Sequence, residues 1–473
     1  MPKKTSPKAL LLIIIGAAIL LRLAIFGFLW MANEPTYSVL GDSNGYLRIA
    51  NNIAEGNGFS QLTEPPYLPD SMRVPVVPAL LAGSIILSDS YVPFVLLQIL
   101  LSGVLVMLTY LIAREVGARP VRGRASNGAG ERLSLVAAAL MAFEPYSVFI
   151  STSVLTETLF ATLLALGAYL CARFINEPRA LFIAGASAIF GVAALTRPIG
   201  EFLPLLLVLI VCVRMPVRDY LKYGVLAVLP FLIIVGPWMM RNYVVFNSFA
   251  LSSGGLQNAY SDLGGAIIGV RDQIPTPEAK QKIEEDFAAR YGIRMEDFQR
   301  DLTHSADMFK EGIGIMLQNP VPTLKVFASI SITFFTHDAW TYYLQRWDIL
   351  PRYETLFSPS YTLMTEGPIE AMKQSIEHAG LTLPTALVGR LFWLIVSILF
   401  FVGIGSLIMQ GGQSRTMAFF LLALLLYLLA LSVSVGFGIN GRFRYPVNSI
   451  FFVGASVGGS VLLLWLKRLM RGA

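Results

Sequence analysis

The sequence predicts an all-α, polytopic membrane protein, and three observations carry that prediction. Of its 473 residues, 55% are hydrophobic and only 14% charged, with a mean hydropathy of +0.64. Soluble domains carry roughly 25% charged residues, so this chain has too few to coat itself in water. Its apolar residues fall in runs of about 20, the length that crosses a hydrocarbon core of about 30 Å. Its basic residues alternate from one connector to the next, so the net charge of +6 reports topology and not a nucleic-acid partner.

The elements follow in order. MPKKTSPKAL has a basic flank like that of a signal peptide. The apolar run Lys8 to Trp30 is too long for a signal core and is not followed by a small-residue cleavage site, so it reads as a retained first span over about 9–31. A first outer loop, 32–91, contains VPVVPALLAGSIIL (74–87), a length that suits an interfacial or re-entrant helix. Further spans are expected at 92–113, 133–152, 154–175, 180–196, 198–213 and 221–240, with RPVRGRASNGAGER as a flexible basic connector. A second outer segment then runs to 386. Over 250–386 it holds seventeen acidic and eleven basic residues. The stretch from EAKQKIEEDF to GIGIML has helical spacing and good helix formers. VPTLKVFASISITFF (321–335) is again too short for a comfortable span. Spans at 387–410, 416–435 and 445–466 complete about ten crossings.

With the N-terminus inside, the inner segments hold seventeen basic residues against four acidic ones, and the positive-inside rule is met in every inner loop. Both ends then face the cytosol. The chain divides into a membrane module with the first outer loop (1–250), an outer segment (251–386) and a C-terminal membrane segment (387–473). No internal repeat of the transporter kind is evident.

Cys171 and Cys212 lie 41 residues apart near the ends of apolar runs, which fits neither a thiolate zinc site nor a disulfide framework. His304, His337 and His378 are scattered on the outer side and read as surface or structural; only the THDAW around His337 invites attention. No metal ligand set and no cofactor is named, and a requirement for a divalent cation stays open.

Chemistry gathers at the outer ends of the spans. Asp42 follows the first span, Arg73 opens RVPVVPALLA, and Glu144 and Glu157 bracket the turn in FEPYSVFISTSVLTETLF. Arg197 ends GVAALTRP, Arg241 and Asn242 end VGPWMMRN, and Arg442, Arg444 and Tyr445 precede the last span. Outer loops normally avoid Arg, so four Arg-bearing outer termini call for a shared anion. Arg grips phosphate oxygens with a permanently charged fork. Several forks around one cavity would hold a lipid phosphate and steady the charge building on it as it leaves, while a nearby carboxylate takes a proton from an attacking hydroxyl.

The order DSNGYLRIANNIAEGNGFS, RVPVVPALLA, EPYSVFISTSVLTETLF, AALTRPIG, PWMMRNYVVFNSFALSS and GRFRYP resembles the GT-C superfamily of membrane glycosyltransferases. More narrowly it is similar to glycosyltransferase family 39 and its relatives: protein O-mannosyltransferases, lipid A aminoarabinose transferases and rhizobial lipopolysaccharide-core sugar transferases. The resemblance covers residues 1 to about 255 and 436–466. It implies inverting transfer from a polyprenyl-phosphate sugar to a hydroxyl of a glycan, lipid or protein, on the extracytoplasmic face of a bacterial inner membrane. It also implies a catalytic Asp in the first outer loop, here Asp42. Many relatives have Asp-Glu where this chain has Asp42-Ser43, which leaves Glu157 or Glu144 as the second acid. Arg241 is the expected main phosphate ligand, with Arg73, Arg197 or Arg444 contributing.

Each candidate has a plainer reading. Asp42 is a good helix cap, Glu157 suits a helix start, and the arginines suit interfacial anchors. Arg22 lies mid-span at a cost of roughly 2.5–3.5 kcal/mol and needs an internal partner. Two other activities compete: secondary transport of an anionic solute, and a lipid-linked glycan polymerase or ligase of another membrane fold. A non-catalytic scaffold would leave the outer arginines unexplained.

Overall fold

The computed structural model describes residues 6–33, 39, 41–117, 127–298, 302–351, 359–379, 382–437 and 440–472, and every regular element among them is a helix. The first is α1 (Pro7–Asn33), followed by α2 (Ser43–Ala54) and α3 (Val76–Ser88) in the first long loop. The chain continues with α4 (Val92–Gly117), α5 (Asn127–Phe143), α6 (Pro145–Ile150), α7 (Glu157–Asn176), α8 (Ala180–Ala194), α9 (Leu203–Arg214) and α10 (Tyr220–Phe246). The 251–386 segment holds α11 (Gly254–Asn258), α12 (Gly265–Asp272), α13 (Thr276–Tyr291), α14 (Ser305–Gln318), α15 (Pro320–Thr336), α16 (Trp340–Arg346), α17 (Pro359–Thr365) and α18 (Pro368–Ala379). The chain closes with α19 (Thr382–Gln410), α20 (Gly412–Val433), α21 (Asn440–Arg444) and α22 (Asn448–Gly472).

Among the described residues, seven stretches are long and apolar enough to cross a bilayer: Pro7–Met31, Val92–Gly117, Glu157–Asn176, Val217–Phe246, Thr382–Gln410, Gly412–Val433 and Gly441–Met470. They coincide with seven of the ten expected spans. The other three, at 133–152, 180–196 and 198–213, fold as shorter helices: α5 with α6, α8, and α9. The two ambiguous stretches become α3 and α15, which also fall short of that length.

The shortening has local causes. Pro145 has no N–H to continue α5, and Glu144 turns its carboxylate onto the backbone N–H groups of Tyr146 and Ser147 (3.1 and 2.6 Å), capping α6. The break frees the carbonyl of Ala142, and the fully buried Arg22 of α1 donates to it at 2.8 Å. That is the internal partner the mid-span arginine requires: a helix-end carbonyl that would otherwise be left without a donor. In α10, Pro230 and Pro237 interrupt the ladder, and Ser187 of α8 accepts the N–H of Phe231 at 3.1 Å, tying the two helices together.

One continuous apolar core runs through α4, α5, α7, α8, α19, α20 and α22. Within it α19 and α22 touch backbone to backbone. A Cβ on Gly403 would sit 2.1 Å from the carbonyl oxygen of Gly454, and one on Gly458 1.9 Å from that of Leu399. Only glycine permits this approach, and the four-residue spacing of Gly454 and Gly458 puts both on one helix face. Large apolar side chains of α1, α10 and α22, among them Leu12, Ile233 and Leu463, point outward, as lipid contact requires. The 251–386 segment adds two small cores, one around Leu263, Ile267 and Ile330 and one around Tyr260, Phe287 and Met308. Its α15 packs on α19 and α20.

Candidate active site

Five expected residues, from four separate parts of the chain, form one ion-pair network. Asp42 stands just ahead of α2, but its side chain makes no capping bond there. Its Oδ1 pairs with Nη2 of Arg73 at 3.3 Å and its Oδ2 accepts from Nη2 of Arg442 at 2.7 Å, across a sequence separation of 400 residues. Arg442 reaches the other way through Nε to Glu157. Glu157, the first residue of α7, is fully buried and also takes Arg197 Nη1 at 2.7 Å. That same Nη1 reaches the Thr156 hydroxyl at 3.0 Å. Two carboxylates face three guanidiniums, so the network carries one net positive charge.

Local structure fixes each member. Asp70 accepts from the backbone N–H of Arg73 at 2.8 Å and receives the Gln61 amide at 2.6 Å, which shapes the loop that presents Arg73. The Arg73 guanidinium lies 4.6 Å from the ring centre of Tyr46. Between α6 and α7 the backbone is irregular yet satisfied. Gln98 of α4 donates to the carbonyl of Leu155 at 2.5 Å, and Ser153 meets the Tyr343 hydroxyl at 3.1 Å. Irregular backbone at membrane depth survives only with such partners.

The two acids differ in setting. Glu157 is closed in, whereas the Asp42 side chain is 40% exposed and lines a cavity of about 220 Å³. Gly41, Tyr146, Ile150, Leu155, Tyr342, Tyr343 and Arg442 complete its walls. Burial alone would raise the Asp42 carboxyl. Arg442, and then Arg73, more than offset this and hold it at about 2, below its ordinary 3.8. It is a fixed negative charge at neutral pH.

The remaining candidates stand apart from this network. Glu144 is spent on the α6 cap and receives the Ser147 hydroxyl at 2.6 Å as well. Arg444 is buried under α15 and α19. It donates to the carbonyls of Phe334 and His337, both at 2.7 Å, with its guanidinium 3.5 Å from the ring centre of Trp393. Tyr445 is buried in the aromatic core against Tyr146. Arg241 sits in a cage of Phe59, Trp238 and Phe246, and its Nη1 donates to the carbonyl of Asp70 at 2.9 Å and to Asn242 at 2.8 Å. Asn242 in turn holds the carbonyls of Ala250 and Leu251 (2.8 and 3.1 Å). Arg241 therefore anchors the loop that carries Arg73, Asn242 holds the turn after α10, and neither bonds to Asp42.

His337 accepts the N–H of Ala339 at 3.0 Å, and burial pushes its imidazole down to about 4, so it is neutral. The side chain of His378 lies outside the described residues. Among the described residues, no three His, Cys, Asp or Glu side chains are grouped so as to hold a metal ion. Tyr342 and Tyr343, which line the same cavity as Asp42, were not singled out in the sequence. They lie in the 251–386 segment, where only the preceding THDAW marks their neighbourhood.

The all-helical architecture, with a long loop after the first apolar helix, has counterparts among solved structures. It is similar to the apo crystal structure of the oligosaccharyltransferase of Archaeoglobus fulgidus, with a TM-score of 0.50 and 13% identity over 99% of this chain and 52% of that one. The same archaeal enzyme tethered to an acceptor peptide gives a TM-score of 0.51 and 14% identity, over 99% and 51%. The chain thus spans about half the length of the solved structures it matches. No protein-family model matches it, and no curated protein does.

Proposed function

We propose that this protein is an inverting glycosyltransferase that moves a sugar from a polyprenyl-phosphate donor to a hydroxyl acceptor on the extracytoplasmic membrane face. One observation carries the reading: a cavity-facing carboxylate in the first long loop, Asp42, gripped by two of three arginines that together leave a net positive charge. The fold supports it, since both similar structures are of an oligosaccharyltransferase. The proposal retains about ten crossings, with α5–α6, α8 and α9 completing the seven long spans, both termini cytosolic and 251–386 outside.

In the proposed reaction Arg442 and Arg73 receive the donor phosphate, with Arg197 adding charge behind them. Arg241 supports this through the loop it anchors. The acceptor oxygen attacks the anomeric carbon from the side opposite the phosphate. The carbon–oxygen bond to phosphate breaks with its electron pair on the lipid phosphate, and the sugar inverts. A carboxylate held near 2 is a weak base. Asp42 therefore acts chiefly by orienting the hydroxyl and stabilising positive charge on the sugar, while the hydroxyl proton passes out through solvent or the departing phosphate. Glu157 keeps Arg442 and Arg197 in place.

Incubating the purified protein with a defined polyprenyl-phosphate hexose and a membrane acceptor fraction tests the reading. Transfer with inverted anomeric configuration supports it, and transfer with retained configuration removes the single-displacement mechanism.

A further inference from the structure

Resting on that reading, we infer that the cavity before Asp42 is a seat for a single pyranose ring, with Tyr342 of the 251–386 segment as its stacking platform. The cavity has two kinds of wall. Asp42 and Arg442, joined to each other, supply its charged hydrogen-bonding groups. Tyr146, Tyr342 and Tyr343, with Ile150 and Leu155, add aromatic and apolar side chains to the same lining. A pyranose has the matching division: hydroxyls around its edge and a patch of C–H bonds on its face. At about 220 Å³ the space is below the roughly 300–1,000 Å³ of pockets that enclose drug-sized ligands, so it suits one ring and leaves a longer glycan outside.

The platform is held rigidly, as a binding wall must be. Tyr343 is buried, with its hydroxyl on Ser153 and its ring edge-on to Tyr146 and Trp347. Tyr342, by contrast, is 36% exposed, and its ring meets that of Tyr343 edge-on. The THDAW stretch locks α16 in position. Asp338 is buried and accepts from the N–H of Thr341 at 3.2 Å and from its hydroxyl. Ala339 takes a left-handed backbone, φ +60°, that places it against α21. A Cβ on Gly441 would meet Ala339 Cβ at 2.6 Å, and one on Gly389 would meet Asp338 Cβ at 2.3 Å. Gly441 also precedes Arg442, so the tyrosine platform and the arginine of the same cavity share one anchor. The 251–386 segment thereby completes the sugar seat.

The test compares binding of a short polyprenyl phosphate, bare or carrying one hexose from a panel of glucose, mannose and galactose, to wild type, Tyr342→Phe and Tyr342→Ala. Tyr342 is partly exposed and outside the core, so its truncation leaves the fold intact. Wild type and Tyr342→Phe are expected to bind at least one sugar-bearing lipid more tightly than the bare one. Tyr342→Ala is expected to lose that preference, a weakening on the order of tenfold, while binding the bare lipid as wild type does. A disaccharide-bearing lipid should gain nothing further. If wild type prefers a sugar-bearing lipid and Tyr342→Ala keeps the full preference, the platform is refuted and the glycosyltransferase reading stands. If wild type binds neither the bare nor any sugar-bearing lipid, both fall.

Discussion

Removing the charge of Glu157 and removing that of Asp42 should have opposite signatures, because one network holds both acids in different surroundings. Glu157 is 0% exposed, between Arg197 (13%) and Arg442 (24%). At an effective dielectric of about 20, each such contact is worth about 4 kcal/mol of Coulomb energy before desolvation. Glu157→Gln leaves two guanidiniums side by side with their central carboxylate gone. Breaking a buried pair from one side costs about 3–5 kcal/mol. Asp42 is 40% exposed, so water screens its pairs, and exposed ion pairs contribute about 0–1 kcal/mol. In Asp42→Asn, Arg442 keeps Glu157 and Arg73 keeps its contact with Tyr46. Thermal unfolding in nanodiscs, read by tryptophan fluorescence at one scan rate, should show a clear drop for Glu157→Gln and almost none for Asp42→Asn. A drop for Asp42→Asn equal to that of Glu157→Gln would refute the assignment of Glu157 to support and Asp42 to chemistry.

Three further expectations follow from the same geometry. Arg241→Ala removes the bond to the Asp70 carbonyl and the aromatic cage contact, so the loop presenting Arg73 loosens; binding of a non-hydrolysable lipid-phosphate analogue should weaken, with Lys restoring only part because it lacks the planar fork. Unchanged analogue binding would leave Arg241 as an interfacial anchor. A carboxyl depressed in the fold adds stability above its unfolded value of 3.8 and loses it as pH falls through about 2, so Asp42 should give kcat/KM no acid limb between about pH 5 and 8. Arg73→Gln removes one cation and should move the acid limb upward in pH; a shift downward would contradict the electrostatics. Finally, a cysteine introduced at Asp297 should react with an impermeant reagent added outside intact cells, and labelling only from the cytosolic side would overturn the topology.

The membrane architecture was legible because hydrocarbon imposes a length and a composition on each span, and the long runs became α1, α4, α7, α10, α19, α20 and α22. Short helices were harder: α5–α6 reads as one apolar run until Glu144-Pro145 is recognised as a cap followed by a residue that cannot extend the preceding helix. Sorting polar residues by membrane side brought Asp42, Arg73, Glu157, Arg197 and Arg442 into one list although 400 residues separate its ends. Direction within an element was beyond that sorting. Arg442 and Arg444 are two residues apart, about 200° around a helix of 3.6 residues per turn, so one faces Asp42 and the other Trp393. Arg241 and Asn242 carry the right chemistry at the right end of α10, but their partners are loop carbonyls that no spacing announces. Tyr342 and Tyr343 depend on how α16 docks against α6 and α19, a tertiary fact with only the THDAW stretch as its trace.

The central claim is that Asp42 acts in the chemical step of sugar transfer from a lipid phosphate. Its most direct measurement is the release of free polyprenyl phosphate from a defined polyprenyl-phosphate hexose by wild type and Asp42→Asn, with analogue binding measured on the same preparations. The account predicts that Asp42→Asn binds the analogue normally and turns over slower by on the order of a hundredfold or more. Near-normal release by Asp42→Asn would contradict it.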